Sequence, residues 1–441
     1  MHNKFVRLRA SSRSLPADTT VHPRLTPARL RPLYHLIRLL ILGSALPSAQ
    51  AGATPPFNTL LGQAQMAAPR LLEQGAAVRA ARADVRQAGA WLNPTISATA
   101  ENLGAPTSEG MSQRQDTYTL SQVFETGGKR AARIESEQRK AEVADARGRQ
   151  ARLEYAGELA IAYATAEAMQ LRKEVADAES ARAEDDLNAA RALVKAGREA
   201  ELRVAQARAS AAAAHAAVQS ASADATEALE RLTALVGATE PFTRIEHPFL
   251  ATVITPQALP GWTPALAPAL ASATAERDAI AAQVRVEQKR LMPDIGVTVG
   301  MRRFGWSSEK AATIGVSASI PLFDRNQAGI DAARERAIGA AMRMAAARLE
   351  AVALHRSAAA QVKASDNRLQ AAEQGELAAA DAYRLGRIGY EAGKTALIEL
   401  LAIRRALAEA KASTIEAHLV RIRALATLSL AEGRNVFGEA P

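Results

Sequence analysis

The sequence predicts a mainly α-helical protein with a small β part, built from long helical hairpins. Ala, the residue with the highest helix propensity, is the commonest residue, and Pro is absent between Pro106 and Pro241 and again between Pro321 and Pro441. The 441 residues include no Cys and only 4% aromatic residues. This composition excludes a disulfide scaffold and a Cys-ligated zinc site, and we expect no compact aromatic core.

The positive charge of the chain is concentrated at its N-terminus. Of 55 Lys and Arg residues, eight lie in residues 1–51, where Asp18 is the single acidic residue. Outside this segment basic and acidic residues nearly balance, so the net charge of +9 is no argument for nucleic-acid binding.

The same segment has the layout of an export signal. Basic residues lead into the apolar run 39–42, and Ala49-Gln50-Ala51 forms an A-x-A-like cleavage site. We predict a signal peptide with a basic N-terminal extension over residues 1–51, with an N-terminal anchor or a chance basic arm as the alternatives. No later segment has the run of about 20 apolar residues that a transmembrane helix needs.

Segments of the first half recur in the second half. Residues 92–96 (LNPTI) match residues 291–295 (LMPDI), and the Gly-containing segment 194–198 (VKAGR) matches 390–394 (YEAGK). We therefore predict two copies of one unit of helix, two strands, long helix and return helix. The predicted organisation is a signal peptide at 1–51, a first repeat at 52–240, an inter-repeat linker at 241–263, a second repeat at 264–435 and a C-terminal tail at 436–441.

Two pairs of short segments alternate in polarity. Residues 295–302 and 313–320 alternate apolar with polar or Gly residues, and residues 95–100 and 118–121 do so more weakly. Such alternation is typical of a membrane strand with one face to lipid and one to a wet lumen, although a half-buried hairpin of a soluble protein is the alternative. Because the pair occurs twice in an exported chain, we favour four transmembrane β-strands per protomer.

Within each copy, the length of the predicted long helix equals roughly the summed length of the two shorter helices. Residues 128–194 give one helix of roughly 100 Å at the standard rise, and residues 327–390 give a similar one. In each copy two shorter helices placed end to end match the long one, namely 57–91 with 199–236, and 265–291 with 397–432. On the last helix an apolar stripe is predicted to be buried: Ile415, Leu419, Ile422, Leu425 and Leu428.

Four strands are too few to close a membrane barrel, since closed barrels need about eight. An open sheet edge in lipid leaves unpaired backbone groups, which are costly there. The sequence therefore predicts an oligomer in which strands from several copies share one sheet, with the helices forming a joint tube.

The chain resembles the TolC family of outer-membrane efflux factors over about residues 57–435. The resemblance is carried by residues 120–130 (LSQVFETGGKR), residues 320–327 (IPLFDRNQ) and the two Gly-containing turns. The GGKR and PLFDRNQ forms are similar to the branch that serves cobalt-zinc-cadmium type pumps, the heavy-metal RND branch.

The resemblance implies a homotrimer with a twelve-stranded barrel in the outer membrane and a helical tunnel in the periplasm. It implies a periplasmic adaptor (membrane fusion) protein and a proton-driven inner-membrane RND pump as partners, and no nucleic acid. By position, the tip that contacts the adaptor is Gly197, Arg198, Gly393 and Lys394, and the entrance gate is Tyr390 and Glu399. Ala402 stands where family members keep a second acidic residue, which puts a doubled acidic ring in doubt.

The chemistry of the residues at the Gly-containing turns and at Glu399 also indicates a role for them. Gly in a helical turn supplies a positive φ that a Cβ opposes. Glu399 repeated by three-fold symmetry becomes a ring of three carboxylates that attracts cations, whereas a solvated helix charge is the alternative. We interpret residues 184–186 (Glu-Asp-Asp) as a solvated face, with tunnel lining as the alternative.

No sequence signature of an enzyme is present. Gly127-Gly128-Lys129 is followed by Arg130 and lacks the upstream Gly of a phosphate loop, so we interpret it as a tight strand-to-helix turn. We predict no catalytic residues, no cofactor and no fixed metal site, because after residue 51 the chain has no Cys and its four His are far apart: His215, His247, His355 and His418.

The sequence and the resemblance together predict a passive exit duct for substrates delivered by a pump and an adaptor, with heavy-metal cations as the expected substrates. Two alternatives stay open. One is an outer-membrane duct for drug or protein (type I) export. The other is a periplasmic coiled-coil scaffold or adaptor, which does not account for four alternating strands.

Overall fold

Long helices make up most of the described chain. The computed structural model describes residues 53–198, 200–253, 261–392 and 394–438. The predicted signal peptide at 1–51 and the predicted tip residue Gly393 lie outside these ranges. The helices are α1 (Phe57–Ala67), α2 (Pro69–Ala88), α3 (Lys129–Lys195), α4 (Glu201–Val236), α5 (Pro268–Lys289), α6 (Gln327–Glu391) and α7 (Leu397–Glu432).

The two long helices, α3 with 67 residues and α6 with 65, have the predicted extents to within a residue. The single helix predicted over 57–91 is wrong, because the chain breaks between α1 and α2 at Ala68, whose φ and ψ are extended. Pro69 begins α2, where its missing N–H costs no helical hydrogen bond. Among the described residues, no helix is both long enough and apolar enough to cross a membrane.

The helices pack side by side in an order that joins the two halves of the chain. α3 packs against α2 and α4, and α6 packs against α5 and α7. α3 also packs against α5 and α7, so it is shared between the halves. Two shorter helices thus lie along each long helix, as the length balance predicts.

The core lies around the middle of α3, where Leu159 and Tyr163 are fully buried. The predicted stripe on α7 is confirmed, since all five of its residues are buried. The expectation of no aromatic core is wrong at this one place: the ring centroids of Phe57 and Phe249 are 4.5 Å apart, and those of Tyr163 and Phe249 are 5.4 Å apart. The rings come from three distant segments, so their clustering is a tertiary effect.

The segment that follows α4 is hydrogen-bonded to this core. A short parallel pair joins β1 (Ala53–Thr54) to β4 (Arg244–Ile245). Buried Glu167 accepts hydrogen bonds from the backbone N–H groups of Phe249 and Leu250 at 2.8 and 2.9 Å. Burial raises the pKa of Glu167, although the two N–H groups act in the opposite direction. The first residues of the predicted linker 241–263 are therefore part of the packed body.

The remaining strands form one antiparallel sheet. These strands are β2 (Thr95–Glu101), β3 (Gln115–Phe124), β5 (Ile295–Phe304) and β6 (Lys310–Ala318), in the order β2-β3-β5-β6. The two hairpins are joined through β3 and β5, with Leu120 opposite Val299. Within the described residues, β2 and β6 are the edge strands of this sheet.

The register sorts the side chains of the sheet onto one apolar and one polar face. Ile96, Leu120, Val299 and Ile314 lie in one row across the strands. On the opposite face Ser97 and Thr119 share a hydrogen bond of 2.6 Å, and Thr298 donates to Ser121 at 3.0 Å. The apolar face is uncovered, with Ile314 79% and Val316 74% exposed. An uncovered apolar surface of this kind calls for lipid or another chain against it.

Candidate functional site: the helical turns and the end of α7

The turn between α3 and α4 holds Gly197 and Arg198. Gly197 has a φ of +69°, the left-handed conformation predicted for it. Its N–H donates to the carbonyl of Val194 at 2.9 Å, and the N–H of Arg198 donates to that of Leu193 at 3.0 Å. These two bonds define a Schellman motif, which ends a helix cleanly and reverses the chain. Both Gly197 and Arg198 are exposed.

The turn between α6 and α7 has the same closing bond. The N–H of Lys394 donates to the carbonyl of Gly389 at 2.7 Å, as Arg198 does to Leu193 in the first turn. A Cβ on Gly389 would lie 2.3 Å from Thr395 Oγ1, so the returning chain passes directly over this Gly. The two turns are thus built alike, which the matching sequence segments 194–198 and 390–394 predict.

The other predicted site residues lie on either side of the second turn. Tyr390 is half-buried near the end of α6, and Lys394 is exposed in the turn. Glu399 is exposed in the first turn of α7, where the helix dipole favours a negative charge. The first turn holds one pair of predicted tip residues and the second holds Lys394, with Tyr390 and Glu399 close to it in sequence.

A buried arginine lies five residues beyond Glu399, about one and a half helical turns further along α7. Arg404 of α7 is only 5% exposed. Its Nε lies 2.7 Å from Glu179 Oε1, and its guanidinium also pairs with the carboxylate of Asp186, both on α3. A further guanidinium nitrogen donates to Ser210 Oγ of α4 at 3.3 Å. One side chain thus fastens α7 to both helices of the first hairpin.

Burial disfavours the ionised form of the carboxylates around Arg404. Desolvation raises the pKa of Glu179 and of Asp186, while the positive charge of Arg404 acts against that rise. Asp185, beside Asp186, raises the pKa of the latter further by like-charge repulsion. The positive charge of Arg404 therefore stabilises the ionised form of two partly desolvated carboxylates.

The prediction that residues 184–186 are all solvated is wrong for Asp186. Glu184 and Asp185 are exposed, but Asp186 is half-buried against Arg404. One signal in the sequence marks this cluster. Arg404 falls between Leu400 and Leu407 at helical spacing, so it interrupts a buried stripe, and an arginine there needs a partner.

Aromatic side chains lie at both ends of the sheet. At the end that joins the helices, the rings of Trp91 and Phe124 are 6.4 Å apart, and the guanidinium of Arg130 lies 5.0 Å from the Trp91 ring. At the hairpin end, the ring of exposed Trp306 lies 4.6 Å from that of Phe304, whose register position is on the polar face. Aromatic residues near both ends of the strands are typical of a sheet that crosses a membrane.

Related proteins match this chain over nearly its whole length. It is 53% identical to the nickel-cobalt-cadmium resistance protein NccC of Alcaligenes xylosoxydans xylosoxydans over 420 residues, which cover 94% of each chain. It is also 53% identical to the nickel and cobalt resistance protein CnrC of Cupriavidus metallidurans over 413 residues, 92% of this chain and 98% of that one.

A solved structure has the same fold at low sequence identity. A crystal structure of CusC, whose description refers to transmembrane channel formation, superposes with a TM-score of 0.74 over 86% of this chain and 92% of that one, at 18% identity. The family model described as "Outer membrane efflux protein" matches residues 60–238 and 263–434. The chain belongs to the outer membrane efflux protein family, and it is an outer-membrane efflux channel component.

Proposed function

We propose that three copies of this chain form a passive exit duct across the outer membrane for divalent heavy-metal cations such as nickel and cobalt. The observation that carries the proposal is the antiparallel sheet with an uncovered apolar face and two edge strands, placed at one end of a long helical body. The substrate class is supported by the relatives NccC and CnrC, which are described as nickel and cobalt resistance proteins.

The strand order supports closure by identical copies. The sheet has an even number of antiparallel strands among the described residues, so β2 and β6 run in opposite directions. The β6 edge of one copy can therefore pair with the β2 edge of the next as an ordinary antiparallel ladder. Three copies give a closed barrel of twelve strands with every edge paired, as lipid requires.

We propose a corresponding organisation along the chain. Residues 52–240 and 264–435 are two repeats, each with a hairpin in the membrane and helices in the periplasm, and residues 241–263 link them. Residues 1–51 are the cleaved signal peptide and 436–441 a short tail. The pair α3 and α4, with 67 and 36 residues, closely matches the pair α6 and α7, with 65 and 36 residues. This likeness supports the division into two repeats.

We assign the two helical turns to the periplasmic tip. Gly197, Arg198, Gly393 and Lys394 contact the adaptor, which connects the duct to an inner-membrane RND pump. The exposure of Arg198 and Lys394 supports this contact, because both cations are available to a partner. Energy is supplied by the pump, and the channel itself performs no catalysis.

Tyr390 and Glu399 form the entrance in this proposal. Glu399 is exposed, and three copies related by three-fold symmetry place three carboxylates around one opening. A ring of single carboxylates raises the local concentration of cations without holding one tightly, which conduction requires. Exposed Ala402, one turn further along α7, adds no second ring.

The tip is tested by Gly197→Val. A β-branched residue opposes a φ of +69°, and the space around a Cβ here is open, so the change strains the backbone without a steric clash. We expect nickel and cobalt resistance to fall to the level of a strain that lacks the gene, while trimers still reach the outer membrane. Resistance is measured by growth on graded metal concentrations and trimers by fractionation and native gels.

Ala196→Val is the matched control for this experiment. Ala196 is the exposed neighbour of Gly197 and has a negative φ of −83°, so valine fits its backbone. The control strain should grow like the wild type. Wild-type resistance in the Gly197→Val strain, with normal amounts of trimer, would contradict the assignment of this turn to the tip.

A further inference from the structure

The hairpin end of the sheet, farthest from the helices, contains a cavity of about 630 Å³. It lies where the segment before β3 meets the loop between β5 and β6. The N–H of Gly305 donates to the carbonyl of Arg114 at 2.7 Å, and a Cβ on Gly305 would lie 2.9 Å from that carbonyl oxygen. The close approach of the two segments at Gly305 gives the cavity its shape.

The cavity has an excess of positive charge. Asp116 is paired with Arg114, whose Nε lies 3.0 Å from Asp116 Oδ1. Arg303 also lines the cavity, and Lys310 is its register partner on β6. Both Arg303 and Lys310 are exposed, and within the described ranges no carboxylate forms an ion pair with either of them. Neither cation therefore has a carboxylate within ion-pair distance in the described residues, since Asp116, the register partner of Arg303, pairs with Arg114.

Hydroxyl groups add neutral donors to these charges. Ser112, Ser307 and Ser308 line the cavity. Ser112 Oγ accepts the N–H of Arg114 at 3.3 Å, and Ser307 Oγ accepts the N–H of Glu309 at 3.0 Å. Each of these two oxygens uses a lone pair in the contact, so its hydroxyl proton can be donated to an anion. Arginine with hydroxyl donors is the combination that phosphate oxygens favour.

The register places these cations at the rim of the apolar face. Asp116, Arg303 and Lys310 form one row across the sheet. The next row on the same face, toward the helices, holds Tyr118 and Met301. The charges thus begin where the apolar band ends, which is the depth of lipid headgroups if the band lies in hydrocarbon.

We propose that this cavity binds a phosphate group of a phosphorylated lipid headgroup in the outer leaflet of the membrane. The inference rests on the proposed function, since it requires the apolar face to lie in lipid and the helices to lie in the periplasm. Arg303 and Lys310 bind the phosphate, the serine hydroxyls complete its hydrogen bonds, and Trp306 packs at the interface beside it. The duct is thereby fixed at one depth in the membrane.

The double variant Arg303→Gln/Lys310→Gln tests the site on the purified, full-length trimer in detergent. The probes are lipid A with both phosphates, the same lipid after dephosphorylation, and inorganic phosphate. We expect the double variant to bind the phosphorylated lipid about tenfold more weakly or worse, since two charge-assisted contacts are lost. Dephosphorylated lipid A should bind the wild type about as weakly, and millimolar inorganic phosphate should not displace the phosphorylated lipid.

Arg302→Gln is the matched control. Arg302 precedes Arg303 on the same strand but lies on the opposite face, where its Nε donates to Thr117 Oγ1 at 3.2 Å. Its loss removes one positive charge, as each single change at Arg303 or Lys310 does, and should leave lipid binding unchanged. Each single change at Arg303 or Lys310 should weaken binding by a smaller factor, which keeps the test available if the double variant assembles poorly.

Three results would overturn the inference. They are equal weakening by Arg302→Gln, equal binding of dephosphorylated lipid A, and full displacement of the lipid by inorganic phosphate. The proposed function has a separate readout, because metal resistance and trimer formation are scored on the same strains. Loss of lipid binding by the double variant with intact metal resistance supports this site. A wild-type chain that never reaches the outer membrane would instead contradict the proposed function.

Discussion

Replacement of Arg404 by methionine is expected to destabilise the protein by about 3–5 kcal/mol, the cost of removing one partner from a buried ion pair. Methionine has a similar length and fits the buried stripe, so little packing is lost. The cost arises because Asp186 then remains half-buried without a counter-ion, and Glu179 keeps only the more distant Arg182, 3.9 Å away. Thermal or denaturant unfolding of the wild type and the variant, followed by circular dichroism, measures the difference.

Arg405→Met is the control for this effect. Arg405 is the exposed neighbour of Arg404, so the same change there removes the same charge from solvent and should alter stability by less than about 0.5 kcal/mol. A triple change of Arg404→Met, Glu179→Gln and Asp186→Asn should recover much of the loss, because no buried charge is left unpaired. Equal stability of the Arg404 and Arg405 variants would show that the cluster contributes nothing.

The deficit of Arg404→Met should depend on pH. Burial already raises the pKa of Glu179 and Asp186, so between the ordinary and the raised values the folded chain binds more protons than the unfolded chain. Stability therefore falls as pH rises through this window. Without Arg404 both carboxyl pKa values rise further, which widens the window. The gap between wild type and variant should consequently be large at neutral pH and shrink as the medium is acidified toward the ordinary carboxyl values.

The second large effect is expected for Val299→Lys on the apolar face of β5. A lysine near the centre of the hydrocarbon costs about 2–4 kcal/mol in a membrane strand. In the proposed barrel this cost is repeated in each of the three copies. Val299 is already 47% exposed in a single chain, so in water the same change would cost little. We expect Val299→Lys to abolish assembly in the outer membrane and metal resistance with it.

Thr298→Lys provides the comparison on the same strand. Thr298 lies on the polar face, where it donates a hydrogen bond to Ser121 at 3.0 Å. A lysine there faces the wet lumen of the proposed barrel and should leave assembly intact. Outer-membrane fractionation and native gels measure both variants. Normal assembly of Val299→Lys would mean that the apolar face does not contact lipid.

Much of the fold follows from local sequence. The bounds of α3 and α6 are predictable because long runs without Pro and rich in Ala have one low-energy conformation. The break at Ala68 is signalled only by Pro69, because Pro is tolerated within the first turn of a helix and favoured at the first position of a new one. Both helical turns are predictable because their sequence segments repeat at matching positions.

The contacts between distant segments could not be predicted in the same way. The pairing of β3 with β5 joins the two hairpins, and nothing in the alternation of either strand specifies its neighbour. The Arg404 cluster requires Arg404 of α7 to lie at the same level along the helix axes as its partners on α3 and α4. That alignment depends on how the three helices pack. The cavity at Gly305 likewise depends on two loops that lie far apart in sequence. The sequence marks residue types and faces, whereas the fold brings them together.

The proposed barrel requires β2 of one copy to pair with β6 of the next, and engineered disulfides test this pairing. The natural chain has no Cys, so a panel can pair one cysteine on β2, at Ile96, Ala98 or Ala100, with one on β6, at Ala312, Ile314 or Val316. Within one chain β2 and β6 are three strand spacings apart, about 14 Å, which is beyond the reach of a disulfide. Oxidised outer membranes should yield covalent dimers and trimers, and no larger species, for the combinations in register. Outer-membrane protein that stays monomeric on denaturing gels for every combination would rule out this pairing between copies.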